Sequence, residues 1–319
     1  MRKRTPEPLP MPLPAIRDEA HGDSWSLFNG DSCDVLPLLP DHSVHLAVYS
    51  PPFSSLYTYT PSERDLGNVH TREEFFAHHA FIARELLRIM VPGRVVAVHT
   101  YEIQEYGTSH ITGRRGRYDF PGDYLRHMEA AGFRWKGRIT IDKNAQTQAI
   151  RNNPQELLFA QLKRDGAKLC VAQADYVLVF EAPGDNPVPI HPDVDEDTWI
   201  RWARPVWSDE TGTGSGIREM DILPNAGAKE NDDERHLCPL QLPVIERCVR
   251  LWSNPGETIL DPFAGIGSTP YQAVLLGRRG VGIELKPSYW KCAVAFCQEA
   301  EQQTKQPDLF SFSQLEVAG

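Results

Sequence analysis

A chain of 319 residues with 33 Lys and Arg against 43 Asp and Glu carries a net charge of −10, and 41% of it is hydrophobic. That composition fits a globular protein with one large α/β domain or two smaller ones, and no apolar run approaches the ~18 residues that span a bilayer. Six cysteines (33, 170, 238, 248, 292, 297) form no C-x-x-C pair, so the expectation is reduced thiols in a cytoplasmic protein, with no zinc site.

Residues 1–22 are rich in proline and charge and read as a flexible arm. Trp25 to Phe28 is a short strand candidate, after which Asn29-Gly30-Asp31-Ser32 turns into a helix reaching Leu38 with Asp31 or Ser32 as its cap. The apolar run Val44 to Val48 reads as a buried strand that stops at Tyr49-Ser50-Pro51-Pro52-Phe53. Pro52 pushes Pro51 into an extended conformation, and neither ring donates a backbone hydrogen bond. The Pro51 carbonyl is thereby aimed beside the Ser50 hydroxyl, with the Phe53 ring close behind. Such an acceptor pair suits the exocyclic amine of a flat base; a strand end with a rigid turn reads the same way.

Ser54 to Thr71 is a polar, aromatic loop long enough to close over a substrate. Glu73 to Met90 is a helix with Phe76, Ile82, Leu86 and Leu87 as its apolar stripe; Pro92-Gly93 ends it and Arg94 to His99 is the next buried strand. Thr108 to Tyr118 is a basic loop carrying Arg114, Arg115 and Arg117. A helix, Tyr124 to Ala131, precedes two strands, Phe133 to Ile141 and Gln173 to Phe180, expected to pair as a late hairpin. Between these strands, about 142–172, lie Lys143, Asn144, Arg151, Asn152, Lys163 and Arg164, side chains of the kind that hold phosphates and read base edges.

The charge is unevenly spread. Thr108 to Leu169 has twelve Lys and Arg against six Asp and Glu, a balance of +6, whereas Pro183 to Arg235 has five against thirteen, or −8. One basic face on an acidic body is compatible with double-stranded DNA. The acidic insert 183–235 reads as loop, pinned to the body by Trp199, Trp202 and Trp207. His236-Leu237-Cys238-Pro239-Leu240-Gln241 then leads into a helix, Val244 to Trp252.

A second informative stretch follows. Ile259-Leu260-Asp261-Pro262-Phe263-Ala264-Gly265-Ile266-Gly267-Ser268-Thr269 is a strand, a glycine turn and a helix start, and Gly280 to Glu284 is a second strand ending in a carboxylate. Gly265 and Gly267 would let backbone amides approach a ligand, and Glu284 is placed to accept the hydroxyls of a ribose. A nicotinamide site is disfavoured because Pro270 stands where a third glycine would fall. A helix of about Tyr289 to Glu301 closes the domain, and 302–319 is a polar tail.

Taken together, Ser50 to Phe53 and Asp261 to Thr269 resemble the catalytic tetrapeptide and the cofactor loop of the DNA amino-methyltransferases. These enzymes methylate cytosine N4 or adenine N6 with S-adenosylmethionine. The catalytic piece precedes the cofactor loop, the order of the β-type permuted subgroup, and the resemblance spans about Leu27 to Glu299. It implies a class I, Rossmann-like α/β fold: a seven-stranded, mostly parallel sheet with helices on both faces and inserted recognition segments. It also implies that Ser50, Pro51, Pro52 and Phe53 act on the base, with Tyr49 as a wall. Asp31, His236, Asp261, Pro262, Phe263, Gly265, Gly267, Ser268, Thr269 and Glu284 would hold the cofactor. A serine opening the tetrapeptide goes more often with cytosine than with adenine.

The order of the motifs counts against an RNA or protein-glutamine methyltransferase, and a DNA-binding protein that merely retains the fold is the remaining alternative. Cys33 lacks the Pro-Cys context of a C5-cytosine nucleophile. In the tail, Gln306, Leu309 and Phe310 resemble the short peptides with which bacterial DNA enzymes dock on the sliding clamp, and a cognate restriction nuclease is a further expected partner.

Overall fold

The computed structural model describes residues 15–53, 64–105, 116–143, 159–168, 171–208, 217–218, 220–224 and 239–305. Eleven strands occur among them: β1 Ile16–His21, β2 Trp25–Gly30, β3 Val44–Tyr49, β4 Met90–Tyr101, β5 Ile103–Glu105, β6 Gly116–Tyr118, β7 Arg134–Ile141, β8 Asp175–Glu181, β9 Val206–Trp207, β10 Thr258–Asp261 and β11 Arg279–Glu284. The helices are α1 Ser32–Val35, α2 Arg72–Ile89, α3 Phe120–Ala130, α4 Phe159–Arg164, α5 Glu196–Trp202, α6 Leu242–Trp252, α7 Ser268–Leu275 and α8 Pro287–Lys305.

Nine strands form one sheet in the order β1-β2-β11-β10-β3-β4-β8-β7-β9, and β5 pairs with β6 apart from it. The run from β2 to β7 is the expected seven-stranded body; β1 and the two-residue β9 extend its edges. Pairings from β2 through β4 are parallel. The β4–β8 and β8–β7 pairs are antiparallel, so the expected hairpin forms.

Side chains alternate across this sheet as the pleat requires. On β3, Ala47 and Tyr49 pack on the face that holds Phe75, Ile82, Leu86, Phe120 and Tyr124 of α2 and α3. Leu46 and Val48 face the opposite layer, with Val244, Ile245, Cys248 and Val249 of α6. Farther along, Trp25 and Leu27 of β2 pack on Trp290, Ala293 and Cys297 of α8. The result is three layers, helix on sheet on helix. Among the described residues no helix is long and apolar enough to cross a membrane.

Local chemistry explains the main helix. The Thr71 hydroxyl accepts from the Glu74 amide at 3.1 Å, and the Glu74 carboxylate accepts from the His70 amide at 2.8 Å, which satisfies donors at the start of α2. Its buried stripe runs through Phe75, His79, Ile82 and Leu86 rather than through Phe76.

Several expectations are corrected. The arm is shorter than 22 residues, because Ile16–His21 pairs antiparallel with β2. Alternating charge does not prevent an edge strand, whose outer side meets water. At the other end α8 continues to Lys305, held by Glu301, whose carboxylate takes Lys305 Nζ at 2.6 Å and the Trp25 indole at 2.8 Å. Pro92 and Gly93 do not interrupt: they lie inside β4 at a register shift, with Gly93 at φ +72°. The acidic insert contains α5 and β9 as well as loop. Trp207 and Trp202 do pin it, with Arg247 stacked between them at 5.0 and 5.2 Å, but Trp199 is 53% exposed. Asp193 adds an ionic anchor, accepting from Arg278 at 2.9 Å and Arg250 at 3.1 Å.

Candidate active site

Strands β10 and β3 are neighbours, but the chain leaves them in opposite directions, β10 to β11 on one side and β3 to β4 on the other. In an open α/β sheet such a switch point opens a crevice beyond the carboxyl ends of the strands. A cavity of about 350 Å³ lies there, and Ser50 to Phe53, Asp261 to Ile266 and Glu284 all line it. The two stretches separated by some two hundred residues therefore share one pocket. Two side-chain bonds lock them together: Thr269 Oγ1 donates to the Val48 carbonyl at 3.1 Å, and Ser32 Oγ donates to the Pro262 carbonyl.

One half of the pocket is built from carboxylates. Asp261 accepts from the Phe263 amide at 2.9 Å, and Glu284 accepts from the Gly265 amide at 2.8 Å and the Lys286 amide at 2.7 Å. Burial pushes both acids up, each to about 7. Buried acids of this kind gain from donors that replace lost water, which is what a diol offers. Asp31 caps α1 by accepting from the Cys33 amide at 2.9 Å and takes Arg64 at 3.0 Å, also at the cavity wall. Burial and neighbouring Asp31 raise the Cys33 thiol to about 12, so it is no nucleophile at neutral pH.

The two glycines of the loop have separate duties. Gly265, at φ +55°, lines the cavity and has nothing within 4 Å of where a Cβ would stand. Gly267, at φ +89°, starts α7, and a Cβ there would meet the Ala293 Cβ at 2.7 Å. Close helix packing, not ligand approach, is what requires glycine at 267. Pro262, Phe263 and Ser268 line the cavity as expected, with Thr269 behind in the core. His236 lies outside the described residues.

The other half is the end of β3. Phe53 is buried, its ring centroid 4.1 Å from that of Tyr101 and 5.8 Å from that of Phe120. Tyr49 is not a wall: it points into the core, its hydroxyl 3.0 Å from that of Tyr124, which in turn is 2.7 Å from His79 Nε2. Ser50 Oγ stands 3.1 Å from His99 Nδ1, and His99 Nε2 stands 2.9 Å from Asp175 Oδ2. Sequence reasoning passed over both. Their only signal was a polar residue at each end of a buried strand, on β4 and β8, which the antiparallel pairing brings to the same edge of the sheet.

Lys143, expected at DNA, instead pairs with Asp175 at 2.5 Å, where a buried carboxylate outcompetes solvent for the ammonium. Arg117 is partly engaged, with Glu102 at 3.3 Å and the Val171 carbonyl. Lys163 and Arg164 sit exposed on α4. Arg114, Arg115, Asn144, Arg151 and Asn152 lie outside the described residues. Among the described residues no cluster of His, Cys, Asp and Glu has the arrangement of a metal site.

A family model described as DNA methylase, for the N6 and N4 enzymes, matches residues 44–295. The chain belongs to the N6/N4 DNA methylase family. Type II methyltransferase M.Cfr9I of Citrobacter freundii is 25% identical over 301 residues, covering 84% of this chain and 86% of that one. Type II methyltransferase M.XycI of Xanthomonas campestris pv. cyanopsidis is 27% identical over 274 residues, covering 83% and 84%. Among solved structures, the DNA modification methylase TTHA0409 of Thermus thermophilus, complexed with S-adenosyl-L-methionine, superposes with a TM-score of 0.61 at 25% identity, over 85% of this methylase and 92% of that chain. The cytosine-N4-specific PvuII DNA methyltransferase shares the fold at TM-score 0.60 and 18% identity, over 86% of each.

Proposed function

We propose that this DNA methylase transfers a methyl group to the exocyclic amine of a base swung out of the duplex, cytosine N4 in preference to adenine N6. The observation that carries the reading is that the Ser50 end of β3 and the Asp261–Glu284 carboxylate pair open into one cavity of about 350 Å³. As a DNA methylase of this family it uses S-adenosylmethionine, and the residues present fit that group. Glu284 would take its ribose hydroxyls, Asp31 and Phe263 would flank its adenine, and Gly265 leaves room for it because no Cβ intrudes. When bound, S-adenosylmethionine supplies an electrophilic methyl on a sulfonium centre.

The rest is the work of the chain itself. In a duplex the amine is paired and its lone pair is spread into the ring, so the base must leave the stack at a cost of a few kcal/mol. Ser50 and the Pro51 carbonyl accept the two amine protons and draw the nitrogen toward tetrahedral geometry, which frees its lone pair. Phe53, backed by Tyr101, holds the ring flat. Alignment of this kind supplies most of the gain, with no covalent intermediate. The preference for cytosine rests on serine, not aspartate or asparagine, opening the tetrapeptide at position 50.

DNA would be held by Arg114, Arg115, Arg117, Asn144, Arg151, Asn152, Lys163 and Arg164, with Lys143 withdrawn to its internal partner. The tail residues Gln306, Leu309 and Phe310 would dock on a sliding clamp, and a nuclease cutting the same site would complete a restriction pair. Nucleoside mass spectrometry of DNA from a host expressing the protein tests the core of this reading. N4-methylcytosine is expected. N6-methyladenine alone would overturn the base preference, and no new methylated base would overturn the activity.

A further inference from the structure

Serine is an ambivalent hydrogen-bonding partner, able to donate as easily as it accepts. A site that must choose an amine needs it to accept only. The groups behind Ser50 impose that choice. Asp175 is 3% exposed and receives both Lys143 Nζ at 2.5 Å and His99 Nε2 at 2.9 Å. Burial opposes its ionisation, but Lys143 and then His99 outweigh it and hold its pKa below the ordinary value, so it is a carboxylate. A carboxylate is an acceptor, hence Nε2 of His99 carries hydrogen and Nδ1 presents a lone pair. The Ser50 hydroxyl, 3.1 Å from Nδ1, must then donate to it. Both lone pairs of Oγ remain for whatever enters the pocket.

We propose that His99, oriented by Asp175, is a positioning residue that makes Ser50 a one-way acceptor and takes up the surplus proton of the methylated amine through it. This rests on the reading of Ser50 given above. Once the nitrogen has bonded to the methyl carbon it is positively charged and carries one hydrogen too many. Its N–H bond breaks as Oγ–H forms, while the original Oγ–H breaks as Nδ1–H forms. The charge thus moves from the base to an imidazolium that faces Asp175, and the proton is later released to water. His99 is a sink after the transfer, so no base is needed before it. The same geometry disfavours a base bearing oxygen where cytosine has its amine, because that oxygen would meet an acceptor with no hydrogen to offer.

A double-substitution cycle on the full chain separates this role from mere packing. Ser50→Ala, His99→Ala and the double variant would be compared for single-turnover methyl transfer to PCR-amplified bacterial DNA, with S-adenosylmethionine affinity measured by calorimetry. His99→Ala should slow transfer by about 10²-fold, the lower range for a lost proton-transfer partner, with cofactor affinity within about twofold. In the Ser50→Ala background the same substitution should change the rate less than about threefold, because His99 acts only through Ser50. Added imidazole should restore activity to His99→Ala but not to the double variant. Independent losses in the cycle, an unchanged rate in His99→Ala, or absent rescue would overturn the inference. If Ser50→Ala itself keeps full activity, the reading of the pocket fails first; if it collapses while His99→Ala does not, only the relay fails. Should His99→Ala not fold, Asp175→Asn carries the same cycle.

Discussion

Glu284 is a site where binding and folding should oppose each other. Its carboxylate is buried, and burial lifts it from 4.5 to about 7. Between those values the folded chain keeps a proton that the unfolded chain has released, so stability falls as pH rises through this window and stays low above it. At ~1.4 kcal/mol per pH unit the full penalty is about 3 kcal/mol. Glu284→Gln mimics the protonated acid and escapes it. Without cofactor, the variant should be more stable than the parent at pH 8 by about 3 kcal/mol at most, and the gap should close as pH falls toward 4.5. Relief of Asp261, which repels Glu284, acts in the same direction. Saturating S-adenosylmethionine should reverse the order, because it stabilises only the chain that binds it. Urea unfolding at several pH values, with and without cofactor, measures all of this. A variant less stable than the parent at pH 8 without cofactor, or a difference independent of pH, would refute the reasoning.

The loop glycines should separate in the same assays. Gly267→Ala meets Ala293 at 2.7 Å and a φ of +89°, and should lose about 2 kcal/mol or more of stability. Gly265→Ala has open space around it and should lose only about 1 kcal/mol, while its methyl in the cavity weakens cofactor binding seen by calorimetry. Tyr124→Phe strips a shared partner from His79 and Tyr49, both buried, and should lower urea stability by about 1–3 kcal/mol with cofactor affinity unchanged. A fluorescent peptide of Lys305 to Ser313 should bind sliding clamp and lose binding when Leu309 and Phe310 are both alanine; equal binding of the two peptides would end the docking idea.

What the chain reveals before it folds is whatever local stereochemistry compels. Two prolines after an apolar run can only end a strand and stiffen its exit, and Gly265 to Thr269 can only turn a strand into a helix. Those constraints act within a few residues, so the catalytic stretch, the cofactor loop, the α/β class and most element positions were legible. The tertiary structure decided what lies across strands. It made Gly267 a packing glycine by setting α8 against it. It turned Lys143 inward to Asp175 and joined Ser50 to His99, 49 residues on, and His99 to Asp175, 76 residues further. No local preference of a histidine or an aspartate announces such a partner. The register of β3 on β4 and of β4 on β8 creates it, and that register is set by which faces of the whole sheet are buried.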